Sequence, residues 1–196
     1  MTEKRVLRTP LDSSTIRALK IGDIVYLTGR VFTARDQAHM LMLRTGIPKE
    51  LDTRGLAVYH CGPIVKNGPK GPRITSAGPT TSMRMESLQP RFLELSGAMA
   101  VIGKGGMGPS TLEALEKLGA VYLSITGGLG ALAMKQLGDI KAVHFLEELG
   151  PVEAVWEFDA EEFGPLVVTM DSHGNSLHEA VSAVTLENLA RVLGGL

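Results

Sequence analysis

The chain has 196 residues, of which 44% are hydrophobic and 21% are charged, which is enough for one well-buried core. Its 20 Lys and Arg residues balance 21 Asp and Glu residues, giving a formal net charge of -1. This balance excludes a global basic field of the kind that attracts nucleic acid or an anionic membrane. We therefore expect a single domain over residues 1–196 with no nucleic-acid partner and no membrane partner. Any anion that it binds must be held by a local group of side chains.

Cys61 is the only cysteine of the sequence. An internal disulfide is therefore excluded, as is a metal or cluster site built on several thiolates of this chain. Charges recur along the first 23 residues, unlike the pattern of a signal peptide, and the longest uncharged run, residues 118–134, is interrupted by a glycine turn. These features predict a cytoplasmic protein whose own side chains hold no metal.

The chain repeats a unit in which a short apolar strand is followed by a glycine-rich or polar turn and then a helix. The first unit predicts a strand over 24–33 and a helix over 35–44, which ends before the next glycine. The second unit predicts a short strand over 73–77. A helix follows from Thr80 and is kinked or broken before Pro90.

The third unit is the clearest, because Pro109 occupies the position of a first helical residue and Gly119 closes the apolar-faced helix that follows. Its strand is predicted over 98–102. The fourth unit predicts a strand over 121–126 and a helix over 129–137.

The remaining segments are less regular. Residues 140–171 predict two or three strands with no long helix between them, and residues 176–193 predict a last helix. Helices between apolar strands imply right-handed crossovers, so we expect an α/β fold with a mostly parallel central sheet. The late strands and residues 4–29 suit antiparallel pairing, and residues 65–73, rich in Gly, Pro and Lys, predict a mobile loop.

Three cations are predicted at the starts of helices, namely Arg35, Arg84 and Lys104. A cation near a helix N-terminus is disfavoured by about 0.3 to 1 kcal/mol against the helix dipole. In open α/β sheets, ligands lie beyond the carboxyl ends of the strands, where these helices begin. Three cations in such unfavourable positions indicate a common anionic ligand that compensates for them.

The stretch "GPTTSMRM", residues 78–85, is the most specific of these sites. With Thr80 as the N-cap and Thr81 as the first helical residue, both hydroxyls point toward the strand ends, and Arg84 leans back toward them. This arrangement predicts a carboxylate or phosphate cradle. In the alternative interpretation, Thr80 only caps the helix and Arg84 is a solvated surface residue.

The glycine turns "GKGGMG" and "TGGLGA" either form tight turns or bring backbone close to a ligand. Neither matches a P-loop or a full dinucleotide fingerprint. His39 lies one turn after Arg35 and either borders the site or packs in the core. His173 and His178 lie five residues apart, and their spacing does not predict a zinc site.

Four motifs in one order, "FTARDQAH", "YHCGPIV", "SAGPTTSMRM" and "VIGKGGM", carry a family resemblance. The sequence resembles the β subunit of two-subunit class I iron-sulfur fumarases (fumarate hydratases) and L-tartrate dehydratases, equivalent to the C-terminal domain of the single-chain enzymes. The resemblance extends over about residues 6–179. It implies a swivelling β/β/α three-layer fold, consistent with the mixed sheet above.

The resemblance implies a hydro-lyase that adds water to a small dicarboxylate or removes it. The expected reaction is fumarate to (S)-malate, and L-tartrate dehydration is the alternative. It further implies that Thr80 and Lys104 are catalytic and that Arg35, Thr80, Thr81, Arg84 and Lys104 bind the substrate. Enzymes of this kind use a [4Fe-4S] cluster held by three cysteines, which Cys61 alone does not supply.

We therefore expect the cluster on a partner α subunit that carries the three cysteines, an active site between the two chains, and an α₂β₂ heterotetramer. Two other classes of function stay open at this point. One is a module that binds phosphate or nucleotide through its glycine turns. The other is a purely structural, regulatory subunit.

Overall fold

The computed structural model describes residues 4–69 and 71–193. The strands are β1 Arg5–Arg8, β2 Ile24–Thr33, β3 Ala57–Tyr59, β4 Ile64–Gly68, β5 Gly71–Ser76, β6 Ala100–Gly103, β7 Val121–Ser124, β8 Ile140–His144 and β9 Val155–Met170. The α-helices are α1 Ser13–Arg17, α2 Asp36–Thr45, α3 Gln89–Ser96, α4 Pro109–Leu118, α5 Gly130–Leu137, α6 Leu146–Glu153 and α7 Leu177–Leu193, and a 3₁₀ helix spans Ser82–Met85.

The main sheet has the strand order β1-β2-β3-β6-β7-β9-β8. The pairs from β1 to β7 are parallel, whereas β9 runs antiparallel to β7, β8 and β2. Because β9 pairs with both β7 and β2, the ladder from β2 to β9 closes on itself. Strands β4 and β5 form a separate antiparallel hairpin. The fold is therefore a mixed α/β arrangement with a mostly parallel sheet plus antiparallel strands.

The central parallel strands β3, β6 and β7 are buried on both faces, as their continuous apolar runs require. Within β3, Ala57 and Tyr59 join one apolar cluster with the inner residues of β9, whereas Val58 joins a second cluster. The second cluster is completed by helix residues such as Met42 and Phe92. Alternation of side chains along each strand thus produces two cores, one enclosed by the ring of strands and one beneath the helices.

Most predicted elements are confirmed. The strand over 24–33 has the predicted bounds, and α2 follows it directly with Arg35 at its N-cap. Helix α4 begins at Pro109 and ends at Gly119, which adopts a left-handed conformation with φ 67°. In the part of the chain that the structure describes, the helices are too short or too polar to span a lipid bilayer.

Two predictions for the strands need correction. Residues 4–29 were expected to pair antiparallel, and residues 24–29 of β2 do so with β9, but β1 pairs parallel to β2 because α1 and its flanking turns provide a crossover long enough to reverse the chain. Residues 65–73 were expected to form a loop, but they belong to the β4–β5 hairpin. Lys70 itself lies outside the described residues.

The predicted helix from Thr80 is also wrong. Thr80 and Thr81 are extended, the short 3₁₀ helix follows them, and α3 begins only at Gln89 with Pro90 in its first turn. The backbone groups of Thr80 bond to neighbouring strand ends, so they are not available to start a helix. Pro90 lies in the first turn of a new helix, so the predicted interruption before it is a break and not a kink.

Candidate functional site

The carboxyl ends of β2, β3 and β6 lie side by side because these strands are parallel neighbours. Arg35 follows β2, Cys61 and Gly62 follow β3, and Lys104 follows β6. Parallel alignment alone therefore brings three of the quoted sequence motifs to one edge of the sheet.

The segment carrying the two threonines lies between the ends of β3 and β6. The Thr80 N–H donates to the His60 carbonyl at 2.8 Å, and the Lys104 N–H donates to the Thr80 carbonyl at 3.3 Å. The Ser82 N–H donates to the Lys104 carbonyl at 3.2 Å, and Thr81 forms a parallel β-bridge with Lys104. The threonines thus extend the sheet beyond its regular edge, with Thr81 exposed and Thr80 partly buried.

Arg35 lies on the β3 side of the threonines. Its side chain is 19% exposed, and Nε is 3.1 Å from Glu153 Oε1 of α6. Despite this ion pair, Nε has no hydrogen-bond acceptor within residues 4–69 and 71–193. The guanidinium lies over Gly62, where an added Cβ would be 2.9 Å from Arg35 Nη1. The same Cβ would be 2.5 Å from the Val152 carbonyl oxygen of α6, so the glycine in "YHCGP" makes room for α6 and for the arginine.

Arg84 lies in the last turn of the 3₁₀ helix, and its side chain is 47% exposed. Its Nη2 donates to Asp36 Oδ1 at 3.0 Å and to Oδ2 at 2.9 Å. Burial raises the pKa of Asp36, but the hydrogen bond and charge of Arg84, with the charge of Arg35, outweigh it and hold that pKa below its usual value. Asp36 is thus an anion that lies close to both arginines.

Lys104 lies on the β6 side of the threonines and is exposed. Its side chain crosses the turn after β7, since an added Cβ on Gly127 would be 3.1 Å from Lys104 Cδ. Lys104 forms no ion pair with the carboxylates of the described ranges. Gly127 of "TGGLG" therefore accommodates this lysine.

The structure therefore brings the predicted residues to one end of the sheet. The physical reason given for this grouping was wrong for two of the three cations. Arg84 lies at the end of a 3₁₀ helix, and Lys104 is five residues before α4, so neither lies against a helix N-terminus. Only Arg35, at the N-cap of α2, has the predicted relation to a helix. Parallel strand ends, together with the inserted threonine segment, group these side chains.

A buried polar network beneath the threonines was not predicted from the sequence. His60, Ser82, Tyr122, Gln89 and His39 are each almost fully buried and are connected by hydrogen bonds. His39 also packs on the Phe92 ring, with 4.1 Å between the ring centroids, which confirms the packing alternative for this histidine. The available signal was the polar residue His60 directly after an apolar strand.

Cys61 does not fit a cluster-ligand role. It is 1% exposed, and burial raises the pKa of its thiol to about 12 despite the opposing charge of Arg35. Among residues 4–69 and 71–193, no three His, Cys, Asp or Glu side chains are grouped to hold a metal ion. The side chains that would bind an iron-sulfur cluster are therefore not found in the described part of this chain.

Comparison with known proteins agrees with this geometry. The model of the family described as "Fumarase C-terminus" matches residues 2–181. The chain belongs to this family. The resemblance inferred from the four motifs, all of which contribute to the site, is thereby confirmed.

Three curated relatives are similar to the chain over most of its length. It is 42% identical to "Putative L(+)-tartrate dehydratase subunit beta" of Methanocaldococcus jannaschii, over 94% of this chain and 96% of that protein. It is 43% identical to "L(+)-tartrate dehydratase subunit beta" of Escherichia coli K12, over 89% and 86%. It is 40% identical to "Putative fumarate hydratase class I" of Geobacillus stearothermophilus, over 97% of this chain but 37% of that longer protein.

Proposed function

We propose that this chain is the β subunit of a two-subunit hydro-lyase that reversibly hydrates a small dicarboxylate, with fumarate and (S)-malate as the expected pair. The observation that carries the proposal is the convergence of Arg35, Arg84 and Lys104 around the Thr80–Thr81 segment at one edge of the sheet. L-tartrate dehydration is the second candidate, because two of the relatives above, similar over most of their length, bear that name.

The placement of the cations suits a ligand with two negative groups. Arg35 and Arg84 lie on the side of α2, and Lys104 lies across the threonines from Arg35. Among residues 4–69 and 71–193, Lys104 forms no ion pair, and Arg35 Nε, although it is paired with Glu153, has no hydrogen-bond acceptor. Both side chains therefore supply N–H donors and positive charge for a substrate. Such charge is stronger when a partner chain excludes water from the site.

These residues also suit the chemistry of dehydration. Removal of a proton from the carbon next to a carboxylate leaves extra negative charge on that carboxylate. Arg35, Arg84 and Lys104 stabilise this charge, and each such contact contributes about 2 to 4 kcal/mol to transition-state stabilisation. We assign proton exchange at the carbon to the Thr80 hydroxyl, which needs nearby cations to lower its high intrinsic pKa.

The proposed enzyme needs a second chain. The relatives named "subunit beta" support a partner α subunit. We propose that this subunit carries the [4Fe-4S] cluster on three cysteines and that the complex is an α₂β₂ heterotetramer. The side chains of α7 support a partner surface, because Val184, Leu186 and Leu189 are more than half exposed.

We further propose that residues 1–196 form one domain of the swivelling β/β/α three-layer type and that it acts in the cytoplasm. The closed β2–β9 ring, with helices covering its outer face, supports a layered domain. The free thiol of Cys61 supports a reducing compartment.

Co-expression with the neighbouring candidate α subunit tests the proposed function. The anaerobically purified complex should hydrate fumarate or dehydrate L-tartrate, and the ratio of the two kcat/KM values identifies the substrate. The isolated β chain should be colourless and inactive. Nucleotide affinity without any response to dicarboxylates would instead support the nucleotide-binding module, and full activity of an Arg84→Met complex would support a purely structural subunit.

A further inference from the structure

A continuous string of buried hydrogen bonds lies beneath the candidate site. His39 Nε2 and His60 Nε2 are 3.1 and 2.9 Å from the side-chain amide of Gln89. His60 Nδ1 is 2.8 Å from Ser82 Oγ, which is 2.8 Å from the Tyr122 hydroxyl. The string therefore runs from α2 through α3 and the end of β3 to the 3₁₀ helix and β7.

The string contacts the backbone of the proposed substrate residues at two places. At one end, His39 Nδ1 is 2.8 Å from the carbonyl oxygen of Arg35. At the other, the His60 carbonyl accepts the Thr80 N–H, while the His60 ring contacts the Ser82 hydroxyl. One connected set of side chains thus fixes the distance between the start of α2 and the threonine segment.

The hydrogen-bond donors of the string follow from its ends. His39 Nδ1 faces a carbonyl oxygen and must donate, so His39 Nε2 of the neutral ring is an acceptor. The structure places Gln89 Oε1 toward both rings and leaves the buried Nε2 without a partner among the described residues, and a 180° turn of the amide exchanges the two atoms. With its NH₂ group facing the rings, Gln89 donates to both His39 Nε2 and His60 Nε2. This leaves His60 Nδ1 to donate to Ser82 Oγ. Burial lowers the pKa of both histidines, consistent with neutral rings.

Packing gives the string little freedom to move. A Cβ added at Gly103 would be 1.9 Å from Ser82 Oγ and 2.9 Å from the Tyr122 hydroxyl. The end of β6 therefore presses directly on the Ser82–Tyr122 pair, and Lys104 follows at the next position. The hydroxyl pair thus packs against the strand end that precedes Lys104, whose backbone N–H donates to the Thr80 carbonyl.

We propose that the His39–Gln89–His60–Ser82–Tyr122 string is a positioning device that holds Thr80 in register with Lys104 and the start of α2. This inference rests on the proposed function, since its effect is expressed through the Thr80 hydroxyl. The five residues are positioning residues, because each lies beneath the backbone that carries the reacting groups. A misplacement of about 1 Å in such a group lowers turnover on the order of 100-fold.

Two variants in the αβ complex test the proposal, Ser82→Ala and Tyr122→Phe. Each removes a hydroxyl at the Thr80 end of the string and leaves Arg35 and Arg84 untouched. The expected result is a fall in kcat of about 10- to 100-fold with KM changed less than about threefold. Solvent-deuterium exchange into the carbon-bound position should slow by the same factor as kcat.

Thr53→Val is the matched control. Thr53 is 3% exposed, and its Oγ1 donates to the Ser96 carbonyl at 2.6 Å, near the opposite end of the strands. Its loss should lower the melting temperature as much as Ser82→Ala does and leave kcat unchanged. Equal kcat values for Ser82→Ala, Tyr122→Phe and Thr53→Val would overturn the positioning role.

A second measurement needs no activity. Long-range ¹H–¹⁵N NMR of the full isolated chain at pH 7 should show His39 and His60 as neutral Nδ1–H tautomers, and Ser82→Ala should shift the His60 Nδ1 signal. An Nε2–H tautomer at either ring would overturn the proposed string. A wild-type complex without dicarboxylate turnover would instead overturn the proposed function, and the positioning role would fall with it.

Discussion

Arg84 Nη2 donates to both carboxylate oxygens of Asp36, at 3.0 and 2.9 Å, and so joins the 3₁₀ helix to the first turn of α2. The Arg84 side chain is 47% exposed, so this ion pair contributes only about 0 to 1 kcal/mol to stability. The pair matters mainly for the site, because it orients the guanidinium. The other N–H groups of Arg84 have no partner among residues 4–69 and 71–193, so they can donate to a substrate carboxylate.

Arg84→Met should lower kcat/KM of the αβ complex by about 30- to 1000-fold, because one cationic contact to the transition state is lost. The melting temperature should change by less than about 2 °C. Steady-state kinetics and thermal denaturation measure the two effects. Lys117→Met is the control, since it removes the exposed ion pair with Glu94 on the α3–α4 surface. Equal kinetics for the two variants would contradict a substrate role for Arg84.

Thr80→Ala should abolish turnover and should also stop solvent-deuterium exchange into the product, because the proposed proton-exchanging hydroxyl is gone. Substrate affinity should change less than about threefold, since the three cations are retained. Thr80→Ser keeps a hydroxyl at the same position and should restore part of both rates. Unchanged deuterium exchange in Thr80→Ala would show that another group moves the proton.

Elements that depend on local sequence signals could be predicted, whereas elements that depend on distant partners could not. Strands such as β2 and helices such as α4 could be predicted, because apolar periodicity and the Pro109 and Gly119 signals act locally. The extended state of Thr80 could not, because it depends on partners at positions 60 and 104. Similarly, β1 pairs parallel to β2 through contacts that no local pattern contains.

The same distinction applies to the site. The family motifs identified the residues, and the strand-end rule placed them on one edge of the sheet. The reason why Gly62 and Gly127 are glycines was not accessible, since Gly62 lies against Val152 and Arg35, and Gly127 lies against Lys104, all distant in the sequence. The buried string beneath Thr80 likewise consists of residues that are far apart in the sequence, and its histidines show no spacing that predicts it.

Gly103→Ala should destabilise the chain by about 3 kcal/mol or more, because the new Cβ would be 1.9 Å from Ser82 Oγ. In the Ser82→Ala background, Gly103→Ala should lower the free energy of unfolding by clearly less, since the overlapping Ser82 oxygen is absent. A double-mutant cycle of urea unfolding measures this coupling. Additive losses in the free energy of unfolding would show that the end of β6 moves to accommodate the added methyl group and does not contact the Ser82–Tyr122 hydroxyl pair.

The stability of the chain should depend on pH through its two buried histidines. Burial lowers the pKa of His39 from 6.5 to about 4 and lowers the pKa of His60 well below 6.5. The unfolded chain therefore takes up protons below about pH 6.5 that the folded chain does not, so this stability is present above pH 6.5 and is lost as pH falls toward 4. The expected slope is about 1.4 kcal/mol per pH unit for each histidine.

Urea unfolding of the isolated chain at several values between pH 7 and 5 measures this slope. Replacement of one group, His39→Gln, should remove about half of it. Thr53→Val provides the control, since it alters a buried polar group that does not titrate and should leave the slope unchanged. Stability that is flat from pH 7 to pH 5 in the wild-type chain would contradict neutral, buried rings.

Helix α7 provides a test of the proposed partner surface. Six of its large apolar side chains are at least 51% exposed: Val181, Val184, Leu186, Leu189, Val192 and Leu193. The helix begins next to the candidate site, because His178 Nε2 is 3.3 Å from the Gly105 carbonyl and Gly105 follows Lys104. A partner chain that completes the site is therefore well placed to cover α7 as well.

The double variant Leu186→Glu/Leu189→Glu should weaken binding to the α subunit by at least about 100-fold, because burial of each leucine contributes about 1.5 to 3 kcal/mol and the new carboxylates resist desolvation. The isolated variant should keep the wild-type melting temperature within about 2 °C, since both leucines are exposed before binding. Size-exclusion chromatography of the co-expressed chains measures assembly. Leu95→Glu, on α3 near the opposite end of the sheet, alters a residue that is 43% exposed and should leave the complex intact. A complex that forms equally well with the double variant would place the partner on another face of the chain.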